Sequence, residues 1–480
     1  MRVVVAPFTV AACLLLTASV ARAGGFTAGT NGSQAVARGG AFVAKADDPT
    51  AIELNVAGLA RQRGTRLLFD SNITMHTMRY DRAGVYPGDP SLAGAPAYTG
   101  MPYPRTENIG GAFFAPIIGI TTDFGRFDRW TFAIGGFGPP SVGNRKYGLT
   151  VNGLPSPGRY DIVNAGLLVI YPTIAAAVRV TKWLDLGLAL HVAVSSVNFT
   201  TVSNNKPLGC VVDEDPACDS VTDVSLTGAT ATFSLGALAR PLPWLAFGLK
   251  LWGPTYLESS GTVNVASPPK TSLTFEPAAA TLKTQLPWIL RAGVRFIWMK
   301  EGRERADLEV DGQYEAWHDA QRLGPELSIP RLGPFGDIKT RVVANFRDTF
   351  AVKVGGAYNL PIKNWTLSFR LGFYFDSAAT DYAYTRINFD TIAKYAGTGG
   401  LGISVRGFTL NVSYAYVYSP QRVVTNGEIR PISIFDDPNA PPTSQAINNG
   451  TYNAARQVVS LGLQVEWERL LKRDRRVIRY

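Results

Sequence analysis

The sequence predicts an all-β fold, a transmembrane antiparallel β-barrel of about fourteen strands. Three observations support this fold class. The chain begins with an export leader, its later segments alternate apolar and polar residues with a period of two, and short connections alternate with long ones. A period of two is typical of a strand with one apolar and one polar face. A barrel in a membrane needs that arrangement, because lipid covers its outside while its lumen is more polar.

The first 23 residues have the form of a secretory signal peptide. A short positive start precedes an apolar run from Val3 to Val20, and Ala21-Arg22-Ala23 is a small-x-small cleavage site. A membrane-anchor helix is the alternative, but the polar, Gly-rich sequence from Gly24 onward argues against it. Cys13 imitates a lipoprotein site, yet cleavage there would leave three leucines at the mature end. We therefore expect an exported chain that begins near Gly24.

The composition of the exported chain favours a barrel over a soluble domain. It holds no apolar run of the roughly 18–20 residues that a spanning helix requires. Even so, 46% of all residues are hydrophobic, with 24 Phe, 19 Tyr and 9 Trp. A chain of 480 residues is large for one soluble domain. A barrel accommodates this length, because each added hairpin widens the ring.

Period-two alternation is clearest in three segments, and their intervening residues are mostly polar or small. The apolar positions are Trp288, Leu290, Ala292, Val294, Phe296 and Trp298; Phe408, Leu410, Val412, Tyr414, Tyr416 and Tyr418; and Val459, Leu461, Leu463, Val465 and Trp467. A soluble sandwich also alternates, but here aromatic residues gather at strand ends, as membrane interfaces require. In addition, Ser460-x-Gly462-x-x-Val465-x-Trp467 has the form of the terminal signal used by the outer-membrane assembly machinery, which we expect as a partner.

Fourteen strand candidates follow from these patterns, and we assign residues 65–467 to the barrel. They begin near Thr65, Asn108, Arg129, Leu167, Leu184, Val224, Trp244, Lys283, Ala306, Arg341, Trp365, Ala396, Phe408 and Arg456. An even number of strands returns both chain ends to the periplasmic side. The twelfth candidate has the weakest pattern, because four glycines between Gly397 and Gly402 fill it.

Cysteine and charge agree with export. Cys210 and Cys218 lie in a polar stretch where a disulfide could close a loop in an oxidising compartment, with two free thiols as the alternative. The formal charge of +10 falls to +8 once Arg2 and Arg22 leave with the leader. Much of the excess lies in residues 468–480, which we interpret as a solvated periplasmic tail; nucleic acid is not an expected partner of an exported chain.

The residues before the first strand resemble the N-terminal hatch of the FadL/TodX outer-membrane transport family. The resemblance rests on AVARGGAFVA from Ala35, ADDPTAI from Ala46 and NVAGL from Asn55, where Val56 replaces the proline that the family usually has. Further landmarks follow in the family's order. They are Phe137-Gly138-Pro139-Pro140, Tyr171-Pro172-Thr173-Ile174-Ala175, Thr284-Gln285-Leu286-Pro287 and Arg347-Asp348-Thr349-Phe350.

This resemblance implies a monomeric fourteen-stranded barrel whose lumen is plugged by a hatch, residues 24–64, with Asn55, Ala57 and Gly58 as the hatch motif. It implies passive uptake of hydrophobic small molecules, with long-chain fatty acids first and aromatic or alkane hydrocarbons as the alternative. Outer-membrane lipid and lipopolysaccharide would surround the barrel. The ligand would leave sideways at a kinked third strand, which maps onto Gly136, Phe137, Gly138, Pro139 and Pro140. Proline and clustered glycine weaken a strand, although the same residues could simply end it.

Ligand contacts are expected on the hatch and on the lumen face. Phe26, Phe42, Ile52 and Leu54 are the apolar candidates on the hatch, or they simply pack it. By parity, charged residues of the eighth to tenth strands point inward, because lipid would not tolerate them. The cations among them are Arg291, Arg295, Arg347 and Lys353. They either form cross-strand ion pairs with Asp307, Glu309, Asp311 and Glu315, or one unmatched cation holds a fatty-acid carboxylate.

Enzymatic function has little support in the sequence. The only histidines are His76, His191 and His318, which lie on separate strands, and no nucleophile elbow, zinc spacing or phosphate loop is present. We expect no cofactor and no metal. A barrel-borne lipid hydrolase and a general porin are less favoured functions for such a chain. A plug of about 40 residues argues against a water-filled pore.

Overall fold

The alternating segments form fourteen antiparallel strands that close into a barrel. The computed structural model describes residues 29–139, 144–204, 209–271, 274–321, 325–332, 336–342, 344–431 and 444–471. The wall strands are β1 Arg66–Arg82, β2 Phe113–Thr122, β3 Trp130–Phe137, β4 Asn164–Arg179, β5 Leu184–Asn204, β6 Asp219–Leu242, β7 Leu245–Trp252 continued by Thr255–Ala266, β8 Ala278–Leu286 continued by Ile289–Lys300, β9 Arg303–Glu315, β10 Thr349–Ile362, β11 Trp365–Asp376, β12 Lys394–Val405, β13 Phe408–Val424 and β14 Gly450–Glu466. Each strand pairs with its neighbours in sequence, and β1 pairs with β14 from Arg66↔Glu466 to Arg82↔Gly450. The predicted fold class is confirmed.

Short elements complete the chain. The α-helices are Ser33–Val36, Ala51–Leu54, Trp317–Gln321 and Trp467–Leu471, and the 3₁₀ helices are Val56–Arg61, Pro216–Cys218 and Tyr382–Tyr384. The short strands are Thr106–Glu107, Arg145–Lys146, Thr150–Val151, Leu154–Pro155, Glu326–Ile329 and Ile338–Arg341. None of the helices described is both long and apolar enough to span a bilayer.

Most predicted strand starts lie within a few residues of the observed ones, and β10 differs most. It begins at Thr349 rather than near Arg341, because Ile338–Arg341 pairs with Glu326–Ile329 as a separate hairpin in the preceding connection. The Gly-rich β12 forms along its full length between β11 and β13.

The two faces of the wall differ as the parity predicts. Large apolar side chains cover the outside; Leu308 and Val310 of β9, for example, are exposed. Their neighbours Asp307, Glu309 and Asp311 point inward and are buried. The barrel therefore has an apolar outer surface and a polar inner one.

The two ends of the barrel are built differently. At one end, here named the turn end, six short turns join the strands, at residues 123–129, 180–183, 243–244, 301–302, 363–364 and 406–407. The opposite end, the loop end, carries the long connections. Within the loop end Cys210 and Cys218 are bonded to each other, so the structure contains the disulfide that the sequence suggested.

The N-terminal segment Thr30–Gln62 lies inside the barrel. All of its residues are buried except Gln34, Asp47 and Arg61, which are half-buried. Glycines of the inner wall make room for its backbone: a Cβ added at Gly355 or Gly372 would overlap the backbone of Arg38. The backbone of this segment thus lies directly against the inner wall.

Candidate ligand-binding site

An acidic row on β9, formed by Asp307, Glu309 and Asp311, holds the first half of the N-terminal segment. The Arg38 guanidinium donates to Asp307 Oδ1 at 2.8 Å and to Glu309 Oε2 at 3.2 Å, with all three side chains fully buried. Asp311 Oδ2 accepts the backbone N–H groups of Phe42 and Val43 at 2.8 and 3.0 Å. Charge-assisted bonds of this kind are strong when they are desolvated. The row therefore anchors the segment in addition to stiffening the wall.

The cross-strand ion pair expected between β8 and β9 is also present. Arg295 Nε donates to Asp307 Oδ2 at 2.7 Å, and Arg295 also pairs with Glu304. Arg295 is therefore fully engaged by carboxylates and is not the spare cation.

Arg347 does not line the lumen on β10, as the sequence had suggested. It precedes the strand, and its guanidinium pairs with Asp381 of the connection before β12. The parity argument was wrong here because the strand starts only at Thr349.

Four side chains form an aromatic cluster on the inner wall of β3, β4, β5 and β7: Phe137, Tyr171, His191 and Trp252. The His191 and Trp252 rings stack at 4.2 Å, and Tyr171 meets Phe137 at 5.5 Å and Trp252 at 5.4 Å. Ile52 of the N-terminal segment belongs to the same buried apolar core. This cluster is an apolar surface suited to a hydrophobic ligand, and in this structure the segment covers it.

His191 is held by hydroxyl groups within that cluster. Its Nδ1 lies 2.7 Å from Thr173 Oγ1 and its Nε2 lies 2.9 Å from Ser234 Oγ. A hydrolytic triad would need a carboxylate at the first of these positions, and a threonine occupies it.

Next to the aromatic cluster, the described strands leave part of the wall unpaired. β3 ends at Phe137, and the neighbouring edges, residues 113–116 of β2 and 166–170 of β4, pair with no described strand on their facing sides. Beyond this stretch a hydrogen bond from Ile109 N to Lys146 O, 2.8 Å, joins the two sides again. We name this stretch the wall opening.

The N-terminal segment reaches this opening. Asn31 Nδ2 donates to Gly138 O at 2.6 Å, which satisfies a carbonyl freed by the end of β3. Such a group would be costly to leave without a partner next to hydrocarbon. Of the predicted kink residues, Gly136 and Phe137 lie in β3 and Gly138 and Pro139 follow it, whereas Pro140 is outside the described residues.

Three inward cations act electrostatically on Glu53 of the N-terminal segment. Lys250 of β7 donates to the backbone carbonyl of Glu53 and lies 4.6 Å from the Trp252 ring. Lys353 donates to Gln313 Oε1 at 2.9 Å. Arg291 has no carboxylate within 4.0 Å among the described residues, and its buried Nε has no hydrogen-bond partner there. Within the described residues, Lys250 and Arg291 are therefore cations with no carboxylate bonded to them.

Glu53 is the carboxylate that the N-terminal segment places beside these cations. Asn31 Nδ2 donates to Glu53 Oε2 at 2.9 Å. Burial raises the pKa of Glu53 above its ordinary value, although Lys250 opposes that shift. Neither Lys250 nor Glu53 was predicted from the sequence; the signal was a single lysine at an inward position of the otherwise apolar strand AFGLKLW.

The predicted hatch residues all lie within the segment, except Phe26, which is outside the described residues. Phe42 and Leu54 pack together with Ala35 in a small core. Asn55 donates to Val43 O at 2.8 Å and accepts from Ala57 N at 3.2 Å. Gly58 sits against Ala46, where a side chain would overlap the Ala46 carbonyl. The motif therefore folds the segment back on itself, even with Val56 in place of proline.

Buried ion pairs hold the connections of the loop end together. Arg82 of β1 makes two bonds to the Glu214 carboxylate, at 2.7 and 2.8 Å, and Arg159 donates to Asp219 at 3.0 Å. All four residues are buried. Because Glu214 lies between Cys210 and Cys218, the disulfide loop is fastened directly onto the barrel rim.

Comparison with known proteins identifies the architecture. No family model matches the chain, and no curated protein matches it. Among solved structures, a FadL homologue of Pseudomonas aeruginosa aligns with a TM-score of 0.71 at 15% identity, over 92% of this chain and 100% of that one. The chain has the FadL fold.

Two further FadL-type structures align over nearly their whole length. The toluene transporter TodX of P. putida gives a TM-score of 0.65 at 12% identity, covering 92% of this chain and 99% of TodX. The toluene transporter TbuX of Ralstonia pickettii gives 0.62 at 17%, covering 91% and 98%. The resemblance read from the sequence is confirmed at the level of the fold. A barrel of this type fits a multi-pass protein of the bacterial outer membrane.

Proposed function

We propose that this protein is a passive outer-membrane channel of the FadL/TodX family that takes up hydrophobic small molecules, with long-chain fatty acids as the substrate class. The observation that carries the proposal is the wall opening beside the aromatic cluster, with the N-terminal segment filling the lumen next to both. A filled lumen leaves no straight aqueous route, which argues against a general porin. A hydrophobic ligand has a sideways route into lipid.

The segment links binding to release. A ligand that occupies the aromatic cluster competes with Ile52, which belongs to the same buried core. Ile52 neighbours Glu53, and Glu53 shares Asn31 with the Gly138 carbonyl at the opening. Displacing Ile52 and Glu53 therefore removes one of the two bonds that position the Asn31 side chain at the edge of the opening. Exit through that edge into the bilayer completes uptake without an energy source.

The cations favour an acid over a neutral ligand. Lys250 lies at the covered cluster, and neither Lys250 nor Arg291 has a carboxylate bonded to it in the described structure. A fatty-acid carboxylate there would give a buried cation its counter-charge, and charged hydrogen bonds contribute about 1.5–3 kcal/mol.

Neutral hydrocarbons are the second candidate. The observation in their favour is the aromatic cluster itself, whose ring faces suit an aromatic ligand as well as an acyl chain. The toluene transporters among the similar structures share the fold.

A binding experiment on the purified protein in detergent separates these candidates. It compares a long-chain fatty acid with the neutral hydrocarbon of equal length, for the natural protein, Lys250→Met, Arg291→Met and the control Lys283→Met, whose lysine is exposed. We expect the acid to bind more tightly and to lose about tenfold in affinity in one of the first two variants. Equal binding of both ligands would favour the hydrocarbon. If neither binds, the channel proposal is wrong.

A further inference from the structure

Tryptophan is concentrated at one end of the barrel. Six of the nine lie at the turn end, and each is about half exposed: Trp130 45%, Trp183 49%, Trp244 50%, Trp298 54%, Trp365 56% and Trp467 48%. Each lies at a strand end or within two residues of one, on several sides of the barrel. Tryptophan prefers the headgroup level of a bilayer, because its ring is apolar and its N–H is polar. The six residues therefore mark the level of one membrane interface.

Five of these tryptophans have a basic residue one or two positions away in the sequence, on the side towards the turn. Arg129 precedes Trp130, Lys182 precedes Trp183, Lys363 lies two residues before Trp365, Lys300 two residues after Trp298, and Arg469 two residues after Trp467. Each cation thus lies nearer to the water than its tryptophan. That is the level at which lipid phosphates are found.

Many exposed cations of the turn end have no carboxylate partner among the described residues. Arg63 and Arg469 are exposed but pair with Asp123 and Glu466. Seven other exposed cations are Arg126, Arg129, Lys182, Lys300, Arg303, Lys363 and Arg406. Across the described ranges, no carboxylate oxygen lies within 4.0 Å of any of them. In the six turns, Asp128 and Glu301 are the exposed carboxylates. We name the six tryptophans and these exposed cations the basic ring. Its exposed cations outnumber the exposed carboxylates of the turns, so the ring carries an excess of positive charge.

The loop end lacks this combination. Its exposed aromatic residues are mainly tyrosines, such as Tyr256 and Tyr418. Its exposed arginines include several that pair with carboxylates: Arg79 with Glu107 at 3.0 Å and Arg105 with Asp81 at 2.7 Å. Lys146, Arg331 and Lys339 of the loop end are also exposed and have no carboxylate partner among the described residues. The property of one interface is thus the combination of exposed tryptophans with neighbouring cations.

We propose that the turn end is a binding ring for anionic phospholipid, in which the tryptophans sit among the headgroups and the neighbouring cations bind their phosphates. Charge complementarity selects this partner, because zwitterionic headgroups would leave the positive excess uncompensated. The inference requires that the barrel lie in a membrane, but it is independent of the transported substrate. An acidic soluble protein is the competing partner.

Quenching of tryptophan fluorescence by brominated lipid tests the ring in a lipid bilayer. The full-length protein is reconstituted in phosphatidylcholine vesicles that contain one part in four of brominated phosphatidylglycerol or, in the reference, brominated phosphatidylcholine. We expect the brominated anionic lipid to be enriched at the tryptophans roughly fivefold, the value for one basic residue per headgroup. The enrichment should fall as salt is added. Equal quenching by both lipids would overturn the proposal and leave the ring to an acidic soluble partner.

Two variants that lose equal charge locate the effect. The test variant carries Arg129→Gln, Lys182→Gln, Arg303→Gln, Lys363→Gln and Arg406→Gln. The control carries Arg79→Gln, Arg105→Gln, Lys270→Gln, Lys283→Gln and Lys339→Gln at the loop end. We expect the enrichment to disappear in the test variant alone. Retention there, or equal loss in both, would contradict the ring. If the test variant fails to assemble, the salt dependence of the natural protein still decides the question.

Discussion

The two halves of the N-terminal segment are held in the barrel by different forces. The first half, residues 30–45, is fixed by directed bonds from Arg38 and the backbone of residues 42–45 to the acidic row of β9. The second half, residues 46–62, packs mainly through apolar side chains such as Ile52, Val56 and Leu59. A hydrophobic ligand competes for apolar surface but not for buried ion pairs. The difference indicates that the second half yields to ligand while the first stays in place.

Removing Arg38, which anchors the first half to the acidic row, should have the largest effect on stability. In Arg38→Ala, Glu309 and Asp307 lose a fully buried partner, and breaking such a pair costs about 3–5 kcal/mol. We expect that loss in the free energy of unfolding by urea in detergent micelles. Arg303→Ala, at an exposed position of β9, is the control. If both variants are equally stable, the first half is not anchored by charge.

Weakening the apolar packing of the second half should lower the free energy of unfolding by less than Arg38→Ala does. It should also open the lumen to ions. Ile52→Ala removes a fully buried side chain, and such truncations cost about 2–5 kcal/mol, with the lower end expected where a segment can relax. We expect higher small-ion conductance in planar bilayers. The control is Ile134→Ala, whose side chain faces lipid. An unchanged conductance in both would show that the second half does not close the lumen.

The close fit of the first half to the wall can be tested by adding one methyl group. Gly372→Ala would place a Cβ in the backbone of Arg38 and Gly39, and overpacking of this kind costs about 1–3 kcal/mol. The matched control is Gly397→Ala on β12, where an added Cβ meets no atom within 4 Å. We expect the unfolding midpoint to fall only in Gly372→Ala. Equal midpoints would mean that the segment is free to shift.

The smallest expected effect is on pH dependence. Burial raises the pKa of Glu53 in the second half, so the folded segment holds this proton more tightly than the unfolded chain. Its contribution to stability therefore decreases as the pH rises from the ordinary range of a glutamate, about 4.3, through the raised value. We expect conductance to increase over that window, and Glu53→Gln to remove the increase.

Asp47, at the junction of the two halves, differs from Glu53 in the pH dependence of its contribution to stability. Burial would raise its pKa, but Lys45 and Arg295 outweigh burial and lower the value to about 2. Its contribution is lost only as the pH falls towards 2, so it stays constant where Glu53 titrates. A pH dependence that survives in Glu53→Gln would have to come from another group.

Much of the barrel follows from the sequence, because lipid outside and a polar lumen impose the period of two on every strand. The contacts between the N-terminal segment and the wall cannot be predicted from the sequence in this way. The glycines of β12 suggested a weak strand, yet Gly400 lies where a side chain would collide with Ala37 of the segment. Lys250 was overlooked for a similar reason. Its role depends on Glu53, which lies 197 residues away along the chain, and spacing along one strand cannot show that proximity.

The seam between β1 and β14 has a consequence for how the molecule is made. Ser33 binds Asp70 of β1 through its backbone N–H and its hydroxyl, and Gly462 of β14 leaves the room for that contact. Asn72 of β1 then joins Asn31 to Ser460 of β14. The N-terminal segment thus contacts both strands of the seam, either directly or through Asn72. We expect the order of events during biogenesis to follow: threading comes first, and ring closure comes last.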